Sequence, residues 1–382
     1  MLSKNEWLAF AVILAFITVL IALRVVMDSG APVRNGVPLV TPDVETTVLT
    51  SPLNHNGDVD YGMAVNAMSA KGISPENNSV IKYIEAFGPG DLNTDRFDEI
   101  FADLGMDPLP IEGNYFESVY QWAERKNASG ESKTSIDSET FDQQYTYASN
   151  QPWSAKQFPQ LAQWLAANEF KLEIAREGIS RNQYYEPIES VYWSSGMFVT
   201  MRRLARTLSA SAMRHLEAGE IEKCIGELES ICKVSQQLDQ GPTLVSELVA
   251  MSIFSMAINL GERACVYEKL EVRDLELLLA MVQGLSPPVS LAKKLDVTER
   301  FIVLKSATDF GRAGQSDVDA FFPDTPIFKR HVDWNAVLRT VNAEVDTLVD
   351  LAEIENFEDF ETDANENEQR LAASADLSLI HI

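Results

Sequence analysis

The chain has 382 residues, with 31 Lys and Arg against 57 Asp and Glu for a net charge of −26, and 46% of its side chains are hydrophobic. That length supports one or two units with cores of their own. So acidic a surface repels phosphate backbones, which argues against nucleic acid as a partner. Residues 1–6 read as a short head. From Trp7 to Leu23 there is no charge, and the apolar run continues past Arg24 to Met27. About 20 apolar residues cross a bilayer core of roughly 30 Å, so 7–27 is predicted as a transmembrane anchor. The run is long for a signal peptide and no A-x-A cleavage site follows it, so the expectation is an uncleaved signal-anchor. Lys4 on one side nearly balances Arg24 and Arg34 on the other. A six-residue head before a long chain favours a single pass of the inner (cytoplasmic) membrane, with the head cytoplasmic and the bulk extracytoplasmic.

Residues 28–57 are rich in Pro, Val, Thr, Asn and Gly without periodicity and read as a stalk. Residues 58–122 read as a segment of short helices. One runs from Tyr61 to Ala70, one opens at Ser74-Pro75 and carries Val80, Ile81, Ile84 and Phe87 to Gly88, and one ends at Gly105. Residues 123–150 are polar and poor in aliphatics and read as a linker.

Residues 151–310 are predicted as the helical core. A helix from Phe158 to Gly178 leads through a bend at Tyr184-Tyr185-Glu186-Pro187 to four helical segments with little loop between them. The first closes at Gly219. The second places Ile221, Cys224, Leu228, Ile231, Ser235 and Leu238 at the alternating three-four spacing of one helix face. Gln240-Gly241-Pro242-Thr243 then makes a corner, with Gly to end one helix and Pro to start the next. The third, Thr243 to Arg263, is apolar nearly all round, which predicts a helix sheathed at the middle of a bundle. The fourth, Val272 to Leu285, stops at Gly284 and Pro287-Pro288. Residues 311–352 read as a loop and a C-terminal helix, and 353–382 as an acidic tail whose last six residues, LSLIHI, break its character and look non-native. The expected fold class is all-α: an N-terminal transmembrane helix, a stalk, then a helical bundle or a short TPR-like helix-hairpin array.

Catalytic signatures are sparse. Walker A, G-x-S-x-G, dinucleotide and H-E-x-x-H patterns do not occur, and the four histidines (His55, His215, His331, His381) and three cysteines lack zinc spacing, so no metal, cofactor or catalytic residue is assigned. Cys224 and Cys232 lie about 12 Å apart on one helix, too far to bridge. Either can be imagined paired with Cys265, but three small apolar core residues is the plainer reading. His215 can be imagined as a base beside Ser209 or Ser211; a helix-end histidine beside its own carboxyl-end dipole is the simpler account. Asp296, Glu299 and Arg300 share one turn and read as acid groups facing a groove or, more simply, as an ion pair. Trp153, Trp164, Tyr184, Tyr185, Tyr192 and Trp193 either line a ligand groove or fill a helix seam.

Ala175 to Ile188 (AREGISRNQYYEPI), Ala218 to Val249 with its QGPTLV corner, Asp296 to Phe301 and Val332 to Leu348 resemble uncharacterised single-span, helix-rich, membrane-anchored proteins of planctomycete-type bacteria. The resemblance spans roughly 160 to 350 and implies an anchored helical protein of undefined role, with no catalytic residues to carry over. The expected function is therefore a membrane-anchored extracytoplasmic helical scaffold, held by its N-terminal helix and engaging a protein or cell-envelope partner. The alternatives are an anchored hydrolase using carboxylates such as Glu186 or Glu299, and a solute-binding sensor using the aromatic cluster.

Overall fold

The computed structural model describes residues 39–92, 96–129, 137–188, 197–267, 270–287, 289–312 and 333–354. The predicted head, the anchor at 7–27, the first part of the stalk, most of the loop after Gly311 and the acidic tail lie outside these residues. Within them the regular structure is helical and there is no strand. In chain order the helices are α1 (Tyr61–Ser69), α2 (Ser79–Phe87), α3 (Phe97–Leu104), α4 (Val119–Ser129), α5 (Ser138–Ala148), α6 (Pro159–Ile179), α7 (Met197–Ala218), α8 (Ile221–Asp239), α9 (Leu244–Cys265), α10 (Val272–Gln283), α11 (Leu291–Lys294), α12 (Arg300–Arg312) and α13 (Trp334–Glu353). A π-helical turn, Leu295–Glu299, joins α11 to α12.

The described residues fall into two compact units, one of 39–68 with 290–354 and one of 69–289. The boundary at Ser290 corrects the expected end of the core at 310, because the helix beginning at Leu291 packs with α13. The stalk reading is corrected as well for residues 39–57. Leu39 donates its backbone N–H to Asp58 at 3.0 Å, Thr41 donates to Asn335 at 3.1 Å, and the Tyr61 hydroxyl donates to the Thr47 carbonyl at 3.0 Å. Asp58 also pairs with Arg312. The segment lacks periodicity because its order comes from bonds to residues far away in the chain, which no local pattern records.

In the larger unit α8 holds the centre. Its predicted stripe is buried from Cys224 to Leu238, and it packs against α7 and α9 and also touches α6 and α10. The corner before it turns at Gly219, whose φ of 76° lies in the left-handed region. The corner after it needs glycine for a different reason. A Cβ on Gly241 would sit 2.7 Å from the Ser246 side chain and 2.9 Å from the Leu238 carbonyl. Thr243 then caps α9, accepting the Ser246 N–H at 3.1 Å.

Helix α9 differs from the expectation of all-round burial. Leu244, Val249, Ala250, Ile253, Ala257, Leu260 and Ala264 are buried, while Val245, Leu248, Ser252, Ser255, Ile258, Asn259 and Glu262 face outward. Four large apolar side chains and three alanines contribute about 10 kcal/mol before entropy, well short of what full burial would give. This helix is long and apolar enough to cross a membrane by length and composition, yet the Ser, Asn and Glu positions along its outer face suit water.

Helix α10 runs parallel to α8. Arg273 pairs with Glu222 at 2.7 Å near one end, and Gln236 donates to the Ser286 carbonyl at 3.1 Å near the other. The expected linker at 123–150 is also corrected, since α4 and α5 occupy most of it. Asp137 caps α5, and Phe141, Tyr145 and Ala148 recur at helical spacing and are buried. Three apolar contacts suffice to hold a helix whose remaining positions are polar, which is why composition misread it.

Candidate functional site

The acidic turn singled out in the sequence becomes an ion-pair hub in the smaller unit. Arg300 is buried, its side chain only 6% exposed, and its guanidinium reaches Asp296 at 2.7 Å and Asp346 at 2.6 Å. It also donates to the Asn342 carbonyl at 3.2 Å and to the Asn342 side-chain oxygen at 3.3 Å. Asn342 passes the connection on, donating to the Glu45 and Thr46 carbonyls at 3.0 Å. One planar fork thus ties the π-helical turn, α13 and the 39–60 segment together, a structural use of Arg geometry. Glu299 lies in this unit and Glu186 in the other. Glu186 is buried and accepts the Tyr184 hydroxyl at 2.6 Å. Burial, then the Glu186 carboxylate, pushes the Tyr184 hydroxyl's pKa well up, so it stays a proton donor.

The imagined nucleophiles have other partners. Ser209 donates to the Ala205 carbonyl at 2.8 Å, and Ser211 donates to Glu227 at 2.9 Å. Glu227 is buried and also takes Arg176 at 2.7 Å. His215 lies 2.5 Å from Glu220 across the α7–α8 corner. The hydrogen bond from His215, then that from Lys223, holds the Glu220 carboxyl below its usual range.

The aromatic residues fill the core. Trp153 donates to the Ala210 carbonyl and Trp164 to the Glu117 carbonyl, both at 2.8 Å. Trp164 meets Phe116 and Tyr145 edge-on, at centroid distances of 5.8 and 5.1 Å. Tyr185 is buried with its backbone N–H on Asn78. Tyr192 and Trp193 lie outside the described residues. All three cysteines are free. Cys224 and Cys232 are buried as expected, and burial pushes their thiols up to about 12 and about 11. Cys265 is exposed, a correction to its reading as a core residue, because α9 turns that face outward. Among the described residues no three His, Cys, Asp or Glu side chains converge to hold a metal ion.

What the structure adds is a surface. Helix α10 buries Leu278 and packs Met281 and Leu285 against the core, while Val272, Leu275, Leu279 and Val282 stand 73%, 43%, 57% and 56% exposed. These four are spaced three, four and three apart, so they form a ridge along one flank of the helix, beside the stripe that Leu278 and Met281 bury. The sequence signal was present as two apolar stripes on one short helix. Only one of them can lie against α8, and helical periodicity alone does not say which. A contiguous exposed apolar ridge marks an interaction site more often than a scattered surface leucine does.

No family model matches the chain, and neither the curated proteins nor the solved structures contain a significant match.

Proposed function

We propose that this chain is a membrane-anchored, extracytoplasmic helical scaffold that engages a protein or cell-envelope partner, and that its larger unit ends in a short TPR-like array. The ridge on α10 carries the reading. Supporting the array, α7 and α8 form a hairpin, α9 returns against both, and α10 lies parallel to α8. Stacked hairpins of this kind bury one face on the preceding repeat and need a polar cap or a partner on the last. The anchor is assigned to 7–27, whose apolar run carries no charge from Trp7 to Leu23. Helix α9 is the weaker candidate, because it is packed on one side and polar along much of the other. The relation to uncharacterised single-span bacterial proteins belongs to the same proposal.

Chemical crosslinking and affinity capture of the epitope-tagged full chain from detergent-solubilised membranes tests the scaffold, and protease protection in spheroplasts tests the orientation. A partner enriched over a bare-resin control and a chain cleaved from the periplasmic side are expected. Recovery of the bait alone would sink the reading.

A further inference from the structure

We infer that the α10 ridge docks an amphipathic helix of a partner protein, with apolar side chains at matching three-four spacing and Lys or Arg along its edges. This assignment rests on the scaffold reading above and adds the partner's chemistry to it. The four ridge residues, Val272, Leu275, Leu279 and Val282, lie within an eleven-residue stretch, ten rises or about 15 Å of helix from first to last. A ridge of that pitch fits the groove of another helix.

The edges select the sign of the partner. Glu271 and Glu276 are exposed beside the ridge, and the one cation on the helix, Arg273, is held by Glu222 at 2.7 Å. The surroundings are therefore net acidic on a chain of charge −26. A second copy would bring the same carboxylates to the same edges, and an anionic bilayer surface would be repelled as well. Basic edges complement the rim and draw the partner in.

The test uses the full chain in phosphatidylcholine nanodiscs and a fluorescein-labelled peptide of about 18 residues, with Leu at heptad core positions and Lys at the edges. Two companions share its length: one carries Glu in place of Lys, the other scrambles the Lys/Leu order. Saturable, salt-weakened binding of the Lys peptide alone is expected by fluorescence anisotropy. Leu275→Asp with Leu279→Asp should weaken it roughly tenfold or more. The far-ultraviolet dichroism of that variant should stay unchanged and its melting midpoint should fall only slightly, since the two side chains are 43% and 57% exposed. A second variant, Glu276→Lys, should weaken the Lys peptide and favour the Glu peptide. Equal binding of the scrambled peptide, or wild-type binding by the double variant, overturns the assignment. So does a light-scattering dimer abolished by the double variant, which would give the ridge to a second copy. The capture experiment separates the two levels. If wild type and double variant recover the same partners, the ridge is not the docking face and the scaffold stands. If neither recovers anything, the scaffold itself falls.

Discussion

Gln237 offers a sharp check on how the larger unit is held together. It is buried on α8, accepts the Tyr83 hydroxyl of α2, and donates to the Arg181 carbonyl at 2.7 Å, with longer contacts to the Gly178 and Ile179 carbonyls at 3.0 and 3.3 Å. Those carbonyls lie where α6 ends and its last acceptors lose intrahelical partners. Gln237→Leu keeps the volume and removes every polar atom. The Gly178 carbonyl still receives the Arg181 N–H at 3.0 Å, so the main losses are the Arg181 carbonyl and the Tyr83 hydroxyl. At about 1–3 kcal/mol for each stranded buried group, the cost is about 3 kcal/mol. Tyr83→Phe alone should cost about 1 kcal/mol by leaving the Gln237 side-chain oxygen bare. In the Gln237→Leu background the same change should be neutral or stabilising, because it removes a stranded hydroxyl. Urea unfolding of the full chain in one constant detergent, followed by dichroism at 222 nm, measures all four corners of the cycle. A cost below about 1 kcal/mol for Gln237→Leu, or the same Tyr83→Phe penalty in both backgrounds, would refute the reasoning.

Three further outcomes follow from the same geometry. Arg300→Met should cost the smaller unit about 2 kcal/mol, mainly through the Asn342 contacts, since the Asp296 and Asp346 side chains are 55% and 65% exposed and regain water. Arg300→Lys should recover little, because one ammonium cannot reproduce the fork, and urea midpoints that match wild type in either variant would contradict this. Ellman's reagent should titrate one thiol in the native chain, Cys265, and all three only in denaturant. Because the folded thiols of Cys224 and Cys232 lie above the ordinary value, their contribution to stability is complete at neutral pH and is lost as pH rises above about 8.5. Two or more thiols reacting in the native state would be the contrary result. The Glu220 carboxyl is held below its usual value, so its contribution is present above the unfolded carboxylate pKa of about 4.3 and lost as pH falls through the lower folded one. Glu220→Gln should therefore flatten the acid limb of a plot of melting midpoint against pH, and an unchanged limb would count against the His215 pairing.

Much of the larger unit was readable residue by residue, though not its coverage. The α8 stripe and the Gly219 turn stand where the sequence puts them, and the second corner falls at Gly241-Pro242-Thr243, although Thr243 rather than Pro242 opens α9 and Gln240 rather than Gly241 caps α8. Helix α2 starts later than its Ser74-Pro75 signal, because Asn78 takes the capping role and binds the Val80 N–H at 3.2 Å. The acidic turn was visible as an ion pair between Asp296 and Arg300. Its joining of Asn342 and Asp346 was not, since those residues lie more than forty positions on. Polar composition hid α4 and α5, and apolar composition exaggerated the burial of α9.

The amino-acid order alone determined that the described chain is helical and where most helices in the larger unit turn, because periodicity, caps and left-handed glycines act within a turn or two of the backbone. Only the tertiary structure decided which faces are covered. It set α8 rather than α9 at the centre, joined residues 39–60 to 290–354, and left the α10 ridge bare. Coverage depends on which distant surface arrives, and a helix with two apolar faces carries no mark of which one its neighbour will take.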